Sequence, residues 1–266
     1  AAAFALAPLG LNAWIEAATW RGAWLGMAAT VGLGMGGLGW LLFRDDPEQC
    51  GLRMDGDTDS ELSVEEHTAT RGEALTTTAF WALTLTLAVQ ALVITGFTFH
   101  ILDIGETVGL SNTEVVSFFV PMAVFSTTTG IVVGWAADRT KIRTLIFVML
   151  AAELVGYAGS ANLGSTAGFW VAVVGMGVAS GFFSPLSSVA LPRLFGRTHL
   201  GAIAGMQTMA VVVGSALGPP AFALSASLTG GYASGLYACL LLPVIVTVLN
   251  AIARHPHDVP PTLPSE

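Results

Sequence analysis

Residues Gly134 to Thr144 read GWAADRTKIRT and pack Asp138, Arg139, Lys141 and Arg143 into six positions, in a chain that is only 11% charged. A carboxylate among two guanidiniums and an ammonium can form ion pairs and charge-assisted hydrogen bonds, with one another or with a neighbouring helix. Further along, Glu153 stands alone among apolar residues, with Gly156, Tyr157 and Ser160 at i+3, i+4 and i+7 on its helical face. A third series, Gln90, Thr95 and His100, runs through another apolar stretch.

The elements that carry these residues follow from composition. The chain is 53% hydrophobic, with a mean hydropathy of +0.71, which exceeds what an ordinary soluble domain shows. About 20 apolar residues cross a hydrocarbon core of roughly 30 Å as a helix. The hydropathy predicts such helices over Gly22–Phe43, Ala79–Ile101, Val115–Trp135, Thr144–Leu163, Thr166–Ala190, Gly201–Ser225 and Tyr232–Ala253. Ahead of them, Ala1–Ile15 reads as the end of an eighth helix, with neither an initiator Met nor the charged start of a signal peptide. The chain is therefore expected to begin inside a helix of a longer protein.

Lys and Arg resist translocation and mark the cytoplasmic side. Numbering the loops alternately puts Arg44, Arg53, Arg71, Arg139, Lys141, Arg143, Arg193, Arg197 and Arg254 on one side and Arg21 alone on the other. The GWAADRTKIRT turn and the carboxy terminus are thus expected on the cytoplasmic side. The net charge of −8 is local: ten of the 18 acids fall between Arg44 and Glu73, a polar segment that reads as a linker between two helical bundles.

Several function classes are excluded or left without support. No basic patch with interleaved aromatics favours nucleic acid. No Walker-type loop points to ATP. Cys50 and Cys239 suggest no disulfide, and the five His residues have no metal-ligand spacing, so neither a metal nor any other cofactor is expected. A membrane enzyme would need convergent His, Asp or Ser groups near one interface, and none is evident, so no catalytic residue is assigned.

The motif Gly134-x-x-x-Asp138-Arg139-x-x-x-Arg143, set between two membrane helices, resembles the G-x-x-x-D-R-x-G-R-R signature of the major facilitator superfamily, placed between helices eight and nine of many members. TWRGAW (Thr19–Trp24) is similar to the opening of the family's sixth helix, and RDDPEQCGLRMDGD (Arg44–Asp57) to the run just after it. LFGRTHLGAIAGM (Leu194–Met206) and GSALGPP (Gly214–Pro220) resemble the entry to and middle of the eleventh. The finer likeness is to the monocarboxylate and oxalate/formate carrier branch.

The resemblance implies an all-α polytopic membrane protein with a definite division. Residues 1–43 would end an amino-terminal bundle, 44–78 form the acidic central loop, 79–255 make a complete six-helix bundle, and 256–266 a cytoplasmic tail. It implies a secondary transporter in the bilayer of a bacterial inner membrane, moving a small solute by alternating access; a transporter-like sensor is the alternative. The missing first helices of the same transporter would be its remaining partner. Gly134, Asp138, Arg139 and Arg143 would latch the cytoplasmic gate, with Gly134 allowing a neighbouring helix to approach.

Two departures matter. Lys141 replaces the signature's Gly and Ile142 one basic residue, implying a less tight turn. Val115–Trp135 contains no Arg or Lys, which argues against a dicarboxylate. Polar residues within spans are costly and mark function. Gln90, Thr95, Thr128, Phe182, Ser184, Gln207 and Ser215 are the cavity candidates. Glu153 and His100 are the candidates for proton coupling, although Glu153 reads first as a buried hydrogen-bonding or protonated carboxyl and His100 as a solvated or locally paired side chain. Gly32 with Gly36, and Gly175 and Gly181 with Ala172 and Ala179, are expected to let helices pack closely. Pro121, Pro185 and the Gly218-Pro219-Pro220 run are expected to bend them.

Overall fold

The computed structural model describes residues 2–42, 69–137 and 139–253. Asp138, most of the acidic segment and the carboxy-terminal tail lie outside the described residues. The chain divides into two compact units, residues 6–66 and residues 67–266 with 1–5.

In the first unit, α1 (Ala2–Ala29) breaks at Ala18 and Thr19, where Thr19 takes φ 63. Positive φ is an outlier for a β-branched residue, so this is a true break between two helical runs. It falls where TWRGAW opens the next span. The helix then loosens into one π-helical segment, Thr30–Met35, before α2 (Gly36–Leu42). A Cβ placed on Gly32 or Gly36 meets no atom within 4 Å among the described residues. The close packing expected of this glycine run is not seen there.

The second unit begins with α3 (Arg71–Thr76), started by a reciprocal capping box: Glu73 N–H donates to Thr70 Oγ1, and Thr70 N–H donates to Glu73 Oε2. Thr77 caps α4 (Thr78–Phe99), which stops at His100 and resumes as α5 (Ile101–Thr107). A second capping box, Ser111 with Glu114, starts α6 (Asn112–Ser117), and α7 (Phe119–Ala137) continues it. There follow α8 (Ile142–Ala161), α9 (Thr166–Phe195), α10 (Leu200–Thr229), α11 (Ala233–Cys239) and α12 (Leu241–Ile252).

Among the described residues, seven helical stretches are long and apolar enough to span a membrane, one of them Ala17–Leu42 in the first unit. They match the hydropathy spans, but α9 and α10 run on to Phe195 and Thr229. Hydropathy ends where the apolar run ends, whereas the helix continues until glycine stops it. Gly196 and Gly230, both at φ 75, follow these helices at conformations that L side chains rarely adopt.

Small residues bring the helices together. A Cβ on Gly156 would lie 2.7 Å from Met176 N and 2.9 Å from the Gly175 carbonyl carbon, and Gly175 abuts Gly156 in return. A Cβ on Gly177 or Gly181 would lie 2.9 or 2.6 Å from the Met122 or Ser126 carbonyl oxygen of α7, and one on Gly214 would lie 2.6 Å from the Ala88 carbonyl oxygen of α4. Lipid supplies no hydrophobic force between helices, so packing at this backbone-to-backbone range is what holds such pairs. The expectation for Gly175, Gly181 and Ala172 thus agrees with the α7–α9 and α8–α9 contacts. Pro185 sits within α9, and Pro219 and Pro220 within α10.

Candidate functional site

Four helices, α4, α7, α9 and α10, line a cavity of about 960 Å³ in the second unit. Its polar groups are the amide of Gln90 and the hydroxyls of Thr95, Thr98, Ser126, Thr127, Ser180, Ser184 and Ser215. Phe99, Phe119, Phe183, Met122 and Ile94 supply apolar wall. Among the described residues, no Asp, Glu, Lys, Arg or His is on the wall. A cavity of this size accommodates a small organic solute, and hydroxyls with one amide can donate to or accept from it without charge.

The wall's polar groups are already partly organised. Gln90, 1% exposed, donates from Nε2 to Ser180 Oγ at 3.1 Å, and its Oε1 accepts from the Tyr157 hydroxyl of α8, also at 3.1 Å. Both ends of the amide are therefore held, which fixes its orientation toward the cavity. Thr95 Oγ1 and Ser215 Oγ lie 2.9 Å apart, joining α4 to α10. Thr127 donates to the Ala123 carbonyl at 2.8 Å and still lines the cavity. The Thr98 hydroxyl is buried without a hydrogen-bond partner among the described residues.

Of the cavity candidates, Gln90, Thr95, Ser184 and Ser215 are on this wall, while Thr128, Phe182 and Gln207 are off it. Thr128 is exposed, and its neighbours Ser126 and Thr127 take the lining positions. Phe182 is packed in the core and Phe183 lines the cavity instead. Gln207 is buried, its Oε1 accepting from Ser187 Oγ at 3.4 Å. Each difference is one of helical register: one residue turns a side chain by about 100°, and these helices are apolar nearly all round, so no polar stripe marks the inner face. Ser180, Thr98 and Phe99 were not anticipated, although Ser180 lies on the small-residue side of α9 together with Gly181.

Glu153 is fully buried in α8, and neither carboxyl oxygen has a hydrogen-bond partner among the described residues. Its expected face is buried too, through Gly156, Tyr157 and Ser160. The hydrogen bond expected for a structural Glu153 is missing. His100 is 9% exposed and off the cavity wall. Its Nε2 lies 3.1 Å from the Pro219 carbonyl, which requires that nitrogen to donate. Its Nδ1 then faces the Tyr232 hydroxyl at 3.3 Å and Asp103 Oδ2 at 3.6 Å, while its ring stacks on Phe222. Tyr232 also donates to Asp103 at 3.3 Å. Burial first, then the Asp103 charge and hydrogen bond, raise the Tyr232 phenol above its ordinary range.

At the opposite end, the basic residues reach helix termini. Arg193 Nη1 donates to the Ala137 carbonyl and, at 3.3 Å, to that of Thr140. Arg143 Nη2 donates to the Ala251 carbonyl at the end of α12, and Asn250 Nδ2 donates back to the Arg143 carbonyl at 3.2 Å. Both guanidiniums thus meet the negative ends of neighbouring helices. Arg139 folds onto its own helix, donating to the Trp135 carbonyl at 3.0 Å with its guanidinium 4.6 Å from the Trp135 ring centroid. A Cβ on Gly134 meets nothing within 4 Å among the described residues, so the close neighbour expected there is not found. The sequence marks Arg193 only as a cytoplasmic charge; its place in the last turn of α9, which makes carbonyl capping recognisable, comes with the longer helix.

Membrane-spanning helices joined through small residues around a large, uncharged cavity define a multi-pass transport protein of the bilayer. The family model described as Major Facilitator Superfamily matches residues 1–219, and the chain belongs to that family. Comparison with curated proteins gave no match.

Proposed function

We propose that the protein is a secondary active carrier that moves a small organic ion, with a monocarboxylate as the best-fitting class, by alternating access and together with protons. The observation that carries the reading is the composition of the cavity: hydroxyls, one oriented amide and aromatic wall, with no charged side chain. A monocarboxylate offers an apolar body to Phe99, Phe119 and Phe183 and a few acceptor atoms to the hydroxyls. A dicarboxylate would place two charges against this wall without a cation to meet them, a larger cost than the single charge of a monocarboxylate. The fully buried Glu153 supports proton coupling, because a titratable group at this depth is costly unless used. The basic residues gathered near the Arg193 end support an orientation with that end, and the carboxy terminus, in the cytoplasm of a bacterium.

Purified protein in liposomes, given radiolabelled lactate, acetate or glycerol with and without an inward proton gradient, tests this directly. Accumulation of lactate or acetate that collapses with the gradient is expected. Glycerol flux without carboxylate flux would replace the substrate class. Saturable binding with no flux of any probe would instead favour the transporter-like sensor.

A further inference from the structure

Three observations meet on one line of side chains. Glu153 is wholly buried with both carboxyl oxygens unpartnered among the described residues. Tyr157, four residues on along α8 and equally buried, lies on the same helical face. Long side chains in helices lean toward the amino terminus, which carries the Tyr157 ring back over the turn that holds Glu153. The Tyr157 hydroxyl donates to Gln90 Oε1, and Gln90 is on the cavity wall.

We propose that Tyr157 is a hydrogen-bond switch that reports the charge of Glu153 to the solute cavity. With Glu153 as the neutral acid, Tyr157 donates to Gln90 and the amide stays oriented between Tyr157 and Ser180. When Glu153 loses its proton to water, an unpaired carboxylate is left in an apolar setting. It then competes for the nearest donor. A hydrogen bond to a carboxylate is roughly twice as strong as a neutral one, so the Tyr157 hydroxyl changes acceptor while keeping its own proton. Gln90 Oε1 is released, and the amide turns to offer its polar atoms differently to a solute. Only the Glu153 O–H bond breaks, and water carries the proton away.

Among the described residues, the charged groups near α8 are few. The helices packed against α8 are α4, α7, α9, α11 and α12. Of these, α4, α7 and α12 contain no titratable side chain, and α9 contributes only Arg193, which is engaged at the end of α7. The titratable groups of α11 are Cys239, beside Tyr157, and Tyr237, whose hydroxyl donates to Asn162 Oδ1 at 3.0 Å. Ser160, on the same face, donates to the Gly156 carbonyl of its own helix at 2.8 Å, which leaves Tyr157 as the hydroxyl that Glu153 can draw on. The switch would explain how a carboxyl away from the cavity wall governs a site it does not line.

The inference rests on the carrier reading, and its first test does not require transport. Infrared difference spectra of the purified protein in lipid, recorded as pH is raised, should show loss of a carboxylic C=O band that is absent in Glu153→Gln. The same titration should shift a side-chain amide band that disappears in Gln90→Ala. In Tyr157→Phe the carboxyl band should still titrate, while the amide band no longer responds. An amide band that follows Glu153 unchanged in Tyr157→Phe would overturn the switch, as would the absence of any Glu153 titration. In liposomes, lactate exchange by the native protein should vary about tenfold across the same titration, the scale of trading a neutral for a charge-assisted bond, and Tyr157→Phe should flatten that dependence. If the native protein moves no lactate, the carrier reading fails on its own while the spectra still decide the switch.

Discussion

The guanidinium of Arg193, in the last turn of α9, donates to the carbonyls of Ala137 and Thr140, closing the end of α7 from a neighbouring helix. A cation here meets carbonyls that lack intrahelical donors, so one side chain satisfies the helix end and ties two spans together. The turn that resembles the family signature is thereby anchored by a residue outside the signature.

Arg193→Gln should loosen that turn. A hydrogen bond from a charged donor contributes about 1.5–3 kcal/mol, so the amides of residues 139–144 should exchange with deuterium roughly tenfold faster or more, while exchange in the middle of α8 stays unchanged. Unaltered exchange across the turn would show that the anchor carries no load.

The α8–α9 contact makes a second claim. Gly156→Leu forces side-chain atoms into backbone at 2.7–2.9 Å, and overpacking of this kind costs about 1–3 kcal/mol or more. The midpoint of thermal unfolding in detergent, followed by tryptophan fluorescence, should fall well below that of Gly134→Leu, which enters open space. Equal midpoints for the two variants would contradict the packing.

Tyr232 sets an alkaline limit at the other end. Its phenol ionises above the ordinary value of 10.0 in the folded protein. A raised folded value means that the stabilising share is whole below pH 10 and is lost as pH climbs through the raised value. Helicity of the native protein should therefore decline more steeply above pH 10 than that of Tyr232→Phe. Parallel curves would remove the phenol from the account.

For Asp138 the expectation concerns gating. Acids contribute little to topology, so Asp138→Asn should insert in the native orientation. Loss of a charge-assisted bond should shift the balance of inward- and outward-open states about tenfold. A cysteine placed in the inner half of the cavity should label faster, and net lactate uptake should slow. A well-expressed variant with native labelling and uptake would return the stretch to a plain charged turn.

What the residues alone determined is whatever depends on one helix at a time. The spans and the small residues of α9 follow from local apolar length and steric size. The family, too, was legible in short ordered motifs. The tertiary structure alone decided register and partnership. Whether Phe182 or Phe183, Thr127 or Thr128 faces the cavity depends on a rotation of about 100° that a uniformly apolar helix does not advertise. That Glu153 has no hydrogen-bond partner among the described residues, while Tyr157 one turn away reaches Gln90 on another helix, is likewise invisible along the chain. Such bonds join residues far apart in sequence, and only the packing of α4 against α8 brings them within reach.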